Sequence, residues 1–268
     1  VGTDYIVHGG DRLGLYYYEE SAALRSSSIV YDREDSSITT IKSGMIDWKK
    51  TFSEARLFHW SGITSAVSQG AAEVTNEAVE EAAREGITIS CDINYRANLW
   101  KYGKDAHDVL LPIAQKSDIV FGTADEWKLI TGITPPDFKA TTPDYPIDSA
   151  AYKEYFGKAS KILPKAKKMI VALRNTLSAN HHLLSGVIFA DGKLYTTRIY
   201  DIDDVLDPMG VGDAFIAAYL HAHLKYGDDN QRCLNFSLAA SALKNTIQGD
   251  FNLSTEQEVE YLMNGFEE

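Results

Sequence analysis

The chain has 268 residues, 44% of them hydrophobic and 24% charged, which fits one large globular domain or two small ones. Its net charge of −12, from 26 basic and 38 acidic side chains, disfavours binding to nucleic acid and to anionic membranes, because both are negatively charged. No apolar run approaches the roughly 20 residues of a membrane helix, and the N-terminus lacks the basic-then-apolar order of a secretory signal. Cys91 and Cys233 lack the spacing of a metal site, so we expect two reduced core thiols in a cytoplasmic protein.

The start of the chain is predicted to be rich in β-strands. Segments with aromatic or β-branched residues run over 13–19, 28–31 and 37–41, separated by polar turns. A turn-like Gly2-Thr3-Asp4 leads straight into this region, although an α/β domain would normally have begun its central sheet by then. We therefore expect a small β lid at residues 8–45, standing off an α/β core at residues 46–268 whose N-terminal strands are missing.

Within the core, strands and helices alternate. The residue patterns predict strands at 57–60, 87–93, 119–121, 169–173, 183–189 and 194–200. They predict helices at 71–84, 105–116, 125–131, 150–163, 211–226, 230–245 and 255–263. Asp191-Gly192 is typical of a hairpin turn, the proline-rich stretch 133–150 of a surface loop, and Ser254 with Gln257 of a capping box. This alternation predicts an α/β fold with a mostly parallel sheet flanked by helices on both faces.

One segment carries the chemistry, Asp-Pro-Met-Gly-Val-Gly-Asp-Ala-Phe at residues 207–215. Gly210 and Gly212 stand at the start of an apolar helix, where the first backbone amides are unpaired within the helix and the helix dipole favours an anion. Asp213 follows at once and could accept a proton from an attacking hydroxyl group. An anion site beside a base is what phosphoryl transfer requires of a protein.

Two other glycine motifs do not fit this segment. A dinucleotide-binding fingerprint needs a third glycine where Phe215 stands, and a P-loop needs a following Lys-Ser or Lys-Thr pair. A glycine-containing helix start without any function remains the simple alternative.

The pattern D-x-x-G-x-G-D-x-F resembles the C-terminal signature of the PfkB (ribokinase-like) carbohydrate kinases, from which Pro208 and Val211 depart mildly. The resemblance implies a ribokinase-like fold with a β lid that excludes water when it closes, and ATP and Mg²⁺ as co-substrate and cofactor. It also implies Asp213 as the catalytic base and an anion hole lined by Gly210, Val211 and Gly212, of which the two glycines also contact the nucleotide.

Four further segments narrow the resemblance to the 2-keto-3-deoxygluconate kinases. They are Gly-Gly-Asp-Arg-Leu-Gly-Leu-Tyr at 9–16, Ser-Gly-Ile-Thr at 61–64, Asp-Ile-Asn-Tyr-Arg at 92–96 with Leu-Trp at 99–100, and Gly-Asp-Phe-Asn at 249–252. The substrate contacts that this resemblance implies are Tyr16, Tyr31, Arg33, Arg96 and Asp250, with Asn94 and Arg96 near the nucleotide phosphates. A sugar acid carries a carboxylate, and arginine side chains suit that group.

The metal and nucleotide contacts follow the family pattern less closely. The family's N-x-x-E segment, which organises Mg²⁺ largely through water, corresponds to residues 123–126, so that Glu126 is kept and Thr123 replaces asparagine. The resemblance implies nucleotide contacts for Thr123 and for Arg174, which begins a segment where many relatives have a glycine-rich turn.

The resulting hypothesis is an ATP-dependent kinase that converts 2-keto-3-deoxygluconate into its 6-phosphate. Two alternatives stay open: a PfkB kinase for a neutral sugar such as fructose or ribose, and a truncated sugar- or nucleotide-binding remnant without activity. An exposed lid face often pairs with another subunit, so we also expect a homo-oligomer through the lid. His181 and His182 are adjacent on a strand and point to opposite faces, so we do not expect them to bind a metal together.

Overall fold

A computed structural model describes residues 2–21, 25 and 27–265 of the chain. The contacts within the chain divide it into two compact units. Unit 1 holds the described residues within 1–18, 29–134 and 158–168. Unit 2 holds those within 19–28, 135–157 and 169–268. Residues 22–24 and 26 of the predicted lid lie outside the described part. Across the described ranges, none of the helices combines the length and apolarity needed to span a membrane.

The elements alternate along the chain much as predicted. The strands are β1 (Leu15–Glu19), β2 (Ser28–Asp32), β3 (Leu57–Ser61), β4 (Thr88–Asp92), β5 (Ile119–Gly122), β6 (Lys168–Ser178), β7 (His181–Ala190), β8 (Lys193–Thr196) and β9 (Tyr200–Ile202). The α-helices are α1 (Trp48–Thr51), α2 (Gly62–Val67), α3 (Gln69–Arg84), α4 (Ala106–Ala114), α5 (Ala124–Thr131), α6 (Ser149–Ile162), α7 (Val211–Tyr226), α8 (Asn230–Lys244) and α9 (Glu256–Met263). Short 3-10 helices cover Ser37–Thr40 and Ala97–Leu99.

Unit 1 is built on three parallel strands, with β4 between β3 and β5. Ser61 lies opposite Asp92, and Asp92 lies opposite Phe121, so the three strands end at one edge of the sheet. Helix α3 contacts β3 and β4 and buries a face of small residues. The predicted α/β class with parallel strands flanked by helices is therefore confirmed. The carboxyl edge of such a sheet is where α/β proteins bind ligands.

The lid strands β1 and β2 form a separate two-stranded sheet. Side chains alternate along it, so that Tyr16 is half-buried while its neighbours Leu15 and Tyr17 are exposed, as is Val30 on β2. The division of the chain at residues 8–45 and 46–268 and the homo-oligomer through the lid remain predictions.

Unit 2 combines antiparallel strands with a helical pair. β7 pairs with β8 at one end and with β9 at the other. Helices α7 and α8 are joined by side-chain hydroxyl groups, since Ser237 Oγ donates to the carbonyl of Phe215 at 2.5 Å and Ser241 Oγ to that of Val211 at 3.1 Å. Helix α7 begins and ends at the predicted residues.

Three local predictions were wrong. Residues 37–40 form a 3-10 helix and not a strand, because the Thr39 and Thr40 hydroxyl groups bond back to carbonyls three residues earlier, which favours a turn. The predicted strand 194–200 is divided into β8 and β9, and Thr197 between them bonds to Gly186. The capping box before α9 uses Thr255 and Glu258 in place of Ser254 and Gln257.

The two cysteines agree with the prediction of reduced core thiols. Cys91 and Cys233 are both buried, and neither forms a disulfide bond with another described residue. Burial raises the pKa of the Cys91 thiol well above its usual value, and the negative charges of Asp92 and Glu126 act in the same direction.

Candidate active site

The start of helix α7 in unit 2 presents backbone amides. Gly210 precedes the helix with a φ of 72°, in the left-handed region that favours glycine. The amide of Ala214 donates the first helical hydrogen bond to the carbonyl of Gly210 at 2.8 Å. The amides of Val211, Gly212 and Asp213 come before it and have no partner inside the helix. Such unpaired amides at a helix start are the feature on which the predicted anion site depends, and the binding of an anion there stays a prediction.

The two glycines of this segment are required for different reasons. A Cβ atom on Gly210 would come within 2.1 Å of the carbonyl oxygen of Asp250, so that any other residue would force the backbone to shift. A Cβ atom on Gly212 would meet no heavy atom within 4 Å in the described part of the chain. Gly210 therefore serves the packing of the loop, and Gly212 leaves open space beside the helix amides.

Asp213 and Asp250, predicted as base and substrate contact, are both exposed carboxylates of unit 2. Asp213 lies in the first turn of α7, where the helix dipole favours its negative charge. The backbone of Asp250 packs against Gly210, so both carboxylates belong to the chain segments around the start of α7.

Asp207 joins these segments. It is 4% exposed, and its two carboxylate oxygens accept hydrogen bonds from the amide of Met209 at 2.9 Å and from that of Gly249 at 2.8 Å. The first aspartate of the motif therefore holds the loop, whereas the second one is left available to a ligand.

Arg174, the predicted nucleotide contact of unit 2, lies on the exposed end of β6. It lines a cavity of about 460 Å³ together with Thr176, His182 and Pro208. Burial, assisted by the positive charges of Arg174 and His181, lowers the pKa of His182 to about 4. His182 is therefore neutral near pH 7. Arg174 and Arg25 are the arginines among the described residues that line this cavity.

In unit 1, the lid brings three of the predicted substrate contacts together. The rings of Tyr16 and Tyr31 lie with their centroids 6.5 Å apart, and the guanidinium carbon of Arg33 lies 5.4 Å from the centroid of Tyr31. Arg12 fixes the backbone on both sides of Arg33, since it donates to the carbonyls of Asp32 and Glu34 at 3.1 and 2.6 Å. The lid therefore presents aromatic and cationic groups on one side.

A second group of predicted contacts lies at the carboxyl edge of the parallel strands. Asn94 adopts a φ of 38° and donates from Nδ2 to Ser61 Oγ at 2.9 Å. Its Oδ1 is buried and has no hydrogen-bond partner among the described residues. Arg96 is exposed, and its Nη1 lies 3.6 Å from Glu126 Oε1. The group thus offers a carbonyl acceptor and a cation.

A comparison with known families agrees with this geometry. The model of the pfkB family carbohydrate kinases matches residues 1–256. The chain belongs to this family. It is therefore a carbohydrate kinase, an enzyme that transfers phosphoryl groups, and the predicted ribokinase-like fold is confirmed.

Relatives of the kinase carry more specific names. It is 34% identical to a 2-dehydro-3-deoxygluconokinase from Thermotoga maritima whose crystal structure it matches with a TM-score of 0.88, over 99% of this chain and 78% of that one. It is 27% identical to a 2-dehydro-3-deoxygalactonokinase from Haloferax volcanii, over 95% of this chain and 71% of that one. An uncharacterised sugar kinase from Pyrococcus horikoshii in complex with ATP shares the fold at 19% identity and a TM-score of 0.65, over 93% and 70% of the two chains.

Glu126 of the kinase suits a water-mediated contact with Mg²⁺ better than direct ligation. Its Oε2 accepts from the amide and hydroxyl group of Thr123, at 2.8 and 3.0 Å, and its Oε1 accepts from the amide of Tyr95 at 2.8 Å. Direct ligation would compete with these bonds, of which the two from Thr123 belong to the cap of α5. Mg²⁺ usually keeps several waters, and Oε1 has a second lone pair that could accept from one of them.

Sequence reasoning missed several residues that shape the site of the kinase. The contacts of Arg12 and one of those of Asp207 are made with partners 20 or more residues away along the chain, which no local pattern reveals. Lys244, which is 0% exposed, could have been found, because the spacing from Ser237, Ala240 and Ser241 places it on the buried side of α8.

Proposed function

We propose that this kinase transfers the γ-phosphoryl group of ATP to the 6-hydroxyl group of a sugar acid of the 2-keto-3-deoxygluconate class. The observation that carries the choice of a sugar acid is the contact of Arg33 with Tyr31 beside Tyr16, which offers a guanidinium group on an aromatic surface. The names of the Thermotoga maritima and Haloferax volcanii relatives support the same class.

The segment at the start of α7 would perform the transfer. Asp213 accepts the proton of the sugar hydroxyl group while that oxygen forms a bond to the γ-phosphorus and the bond from phosphorus to the bridging oxygen of ADP breaks. The amides of Val211 and Gly212 stabilise the negative charge on the transferring group. The exposure of Asp213 and the open space at Gly212 support this assignment.

The cationic side chains would select the substrate. A carboxylate on the sugar needs a positively charged partner, and a guanidinium group binds it through two parallel hydrogen bonds. Arg33 is held by the ring of Tyr31 and by the turn that Arg12 fixes, so its charge stays in place in the free enzyme. Arg96 is exposed and is the second candidate for this contact.

ATP as phosphoryl donor is supported by the family and by the ATP complex of the Pyrococcus horikoshii kinase. Arg174 and the cavity that it lines fit an anionic nucleotide. When bound, Mg²⁺ neutralises charge on the phosphates. Glu126, through water, and the unpartnered Oδ1 of Asn94 are the acceptors that would orient the hydrated ion.

Substrate profiling tests this function. We expect ADP release with 2-keto-3-deoxygluconate and its galactonate-derived epimer, a 6-phosphate product by ³¹P NMR, and little turnover of fructose or ribose. Arg33→Ala and Arg96→Ala should each raise KM for the sugar acid about 10- to 100-fold, the size expected for the loss of a charge-assisted hydrogen bond. Arg84→Ala, at an exposed arginine on α3, is the matched control.

Two results would contradict the proposal. If the wild-type enzyme prefers a neutral sugar, the kinase belongs to a different substrate class of the same family. Unchanged KM for the sugar acid in both the Arg33 and the Arg96 variants would mean that neither guanidinium group binds the carboxylate.

A further inference from the structure

Lys244 is a fully buried lysine at the end of helix α8, with an exposed fraction of 0%. Lysine side chains are almost never fully buried unless they are paired. Burial lowers the pKa of its ammonium group, although the negative charges of Asp207 and Asp250 act in the opposite direction. A cation at this position lowers the stability of the fold, in contrast to a lysine on the surface.

The Lys244 side chain packs against the residue that precedes the anion site. A Cβ atom on Gly210 would lie 3.4 Å from Lys244 Cε, and the ammonium nitrogen is one covalent bond further along the side chain. Nζ donates a hydrogen bond of 2.7 Å to the carbonyl of Ile247, in the turn between α8 and Gly249. Lys244 therefore contacts the segment before α7 and the segment after α8.

The same two segments carry several negative charges. Asp207 holds them together through hydrogen bonds to both, and Asp250 and Asp213 are exposed nearby in the chain. A phosphoryl group brought to the amides of α7 adds further negative charge, which these carboxylates repel. The ammonium group of Lys244 interacts with the charges of Asp207 and Asp250, and so offsets part of this repulsion.

We propose that Lys244 is a positioning residue for phosphoryl transfer. Its buried ammonium group holds the Gly210 and Ile247 segments in contact and offsets the surrounding carboxylates, so that the amides at the start of α7 can accept the charge of the transferring group. This inference rests on the proposed role of α7 but not on which sugar is phosphorylated. It predicts an effect on turnover and on phosphate binding, with the affinity for the sugar largely unchanged.

The first experiment removes the charge and keeps the length of the side chain. We expect Lys244→Met to lower kcat about 10- to 100-fold, somewhat less than the loss of a direct oxyanion donor, with KM for the sugar within about threefold of wild type. Lys168→Met is the matched control, because Lys168 is the other buried lysine in the described ranges, at 7% exposure, and should keep its kcat. Thermal unfolding shows whether each variant is folded.

A second experiment separates charge from packing. Lys244→Ala leaves a cavity, so added propylammonium, which corresponds to the removed part of the side chain, should restore kcat at least about fivefold, whereas neutral propanol of similar size should not. Variants that fold and keep wild-type kcat would overturn the proposal, and so would equal rescue by propanol. Failure of Lys244→Met to fold while Lys168→Met folds would assign Lys244 a structural role and would also overturn it.

A third measurement does not depend on the sugar. Calorimetry follows the binding of beryllium fluoride, a phosphoryl mimic, in the presence of ADP and Mg²⁺. Binding at least tenfold weaker in Lys244→Met than in wild type supports the proposal, and equal binding overturns it. If wild type phosphorylates no sugar acid but beryllium fluoride still binds at least tenfold more weakly to Lys244→Met than to wild type, the proposed substrate is refuted and the role of Lys244 remains supported.

Discussion

The two units offer their predicted site groups in different chemical forms. At the start of α7, unit 2 offers backbone amides beside the carboxylates of Asp213 and Asp250, and the positions of the amides depend on the conformation of Gly210. Unit 1 offers side chains, such as the guanidinium group of Arg33, and their positions depend on ring contacts and hydrogen bonds. Backbone amides can bind any phosphoryl group, whereas side chains can be exchanged to suit a particular sugar. We therefore expect changes at the start of α7 in unit 2 to lower turnover, and changes at the lid arginines of unit 1 to alter the affinity for the sugar.

The largest effect is expected from Asp213→Asn. The amide has the shape of the carboxylate but cannot take a proton, so kcat should fall about 10²- to 10⁴-fold with little change in KM, as is typical for loss of a general base. Coupled ADP release measures both constants.

Asp125→Asn is the matched control for this change. Asp125 is likewise an exposed carboxylate in the first turn of a helix, α5, so its replacement alters the helix dipole interaction by a similar amount, about 0.3–1 kcal/mol. If Asp213→Asn stayed within threefold of wild type, the carboxylate would not be the base.

Alanine substitutions at Gly210 and Gly212 should distinguish a glycine that the fold requires from one that ligand binding requires. Gly210→Ala places a side chain at a φ of 72° and against the carbonyl of Asp250, which should lower the free energy of unfolding by about 1–3 kcal/mol and lower kcat. Gly212→Ala meets open space inside a helix and should raise stability by about 0.5–1 kcal/mol.

The KM for ATP of the Gly212→Ala variant shows whether Gly212 serves ligand binding. The added methyl group stands beside the free amides, so KM for ATP should rise while the fold is kept. Chemical unfolding and ATP titration of both variants measure the two effects. Equal loss of stability in the two variants would show that Gly212 is also required by the fold.

Short sequence motifs predicted those features of the candidate site that lie within one contiguous segment. The motif at 207–215 is contiguous, so the helix start, Gly210 and Asp213 could be recognised without any tertiary contact. Overlapping patterns were harder: Ser254 with Gln257 and Thr255 with Glu258 both fit a capping box, and the backbone uses the second. The role of Asp207 depends on Gly249, 42 residues further along, which the sequence pattern does not connect to it.

The smallest effect is expected from Arg12 in unit 1, which acts on the substrate through the turn that carries Arg33. Arg12 forms an ion pair with Asp32 at 2.7 Å besides its bonds to two carbonyls, and its side chain is about one-third exposed, at 34%. Exposed ion pairs contribute about 1 kcal/mol or less. Arg12→Met should therefore raise KM for the sugar acid about threefold to fivefold and leave kcat near that of wild type.

Arg12→Lys tests whether the charge of Arg12 or the geometry of its hydrogen bonds keeps KM for the sugar acid low. Lysine keeps the charge but lacks the planar fork with which Arg12 reaches the carbonyls of Asp32 and Glu34 together. If it behaves like methionine, the two carbonyl contacts hold Arg33 in place, and if it behaves like wild type, the ion pair with Asp32 is sufficient. A fall in kcat with unchanged KM in either variant would contradict the division of labour between the two units, because a lid residue would then act on the transfer step itself.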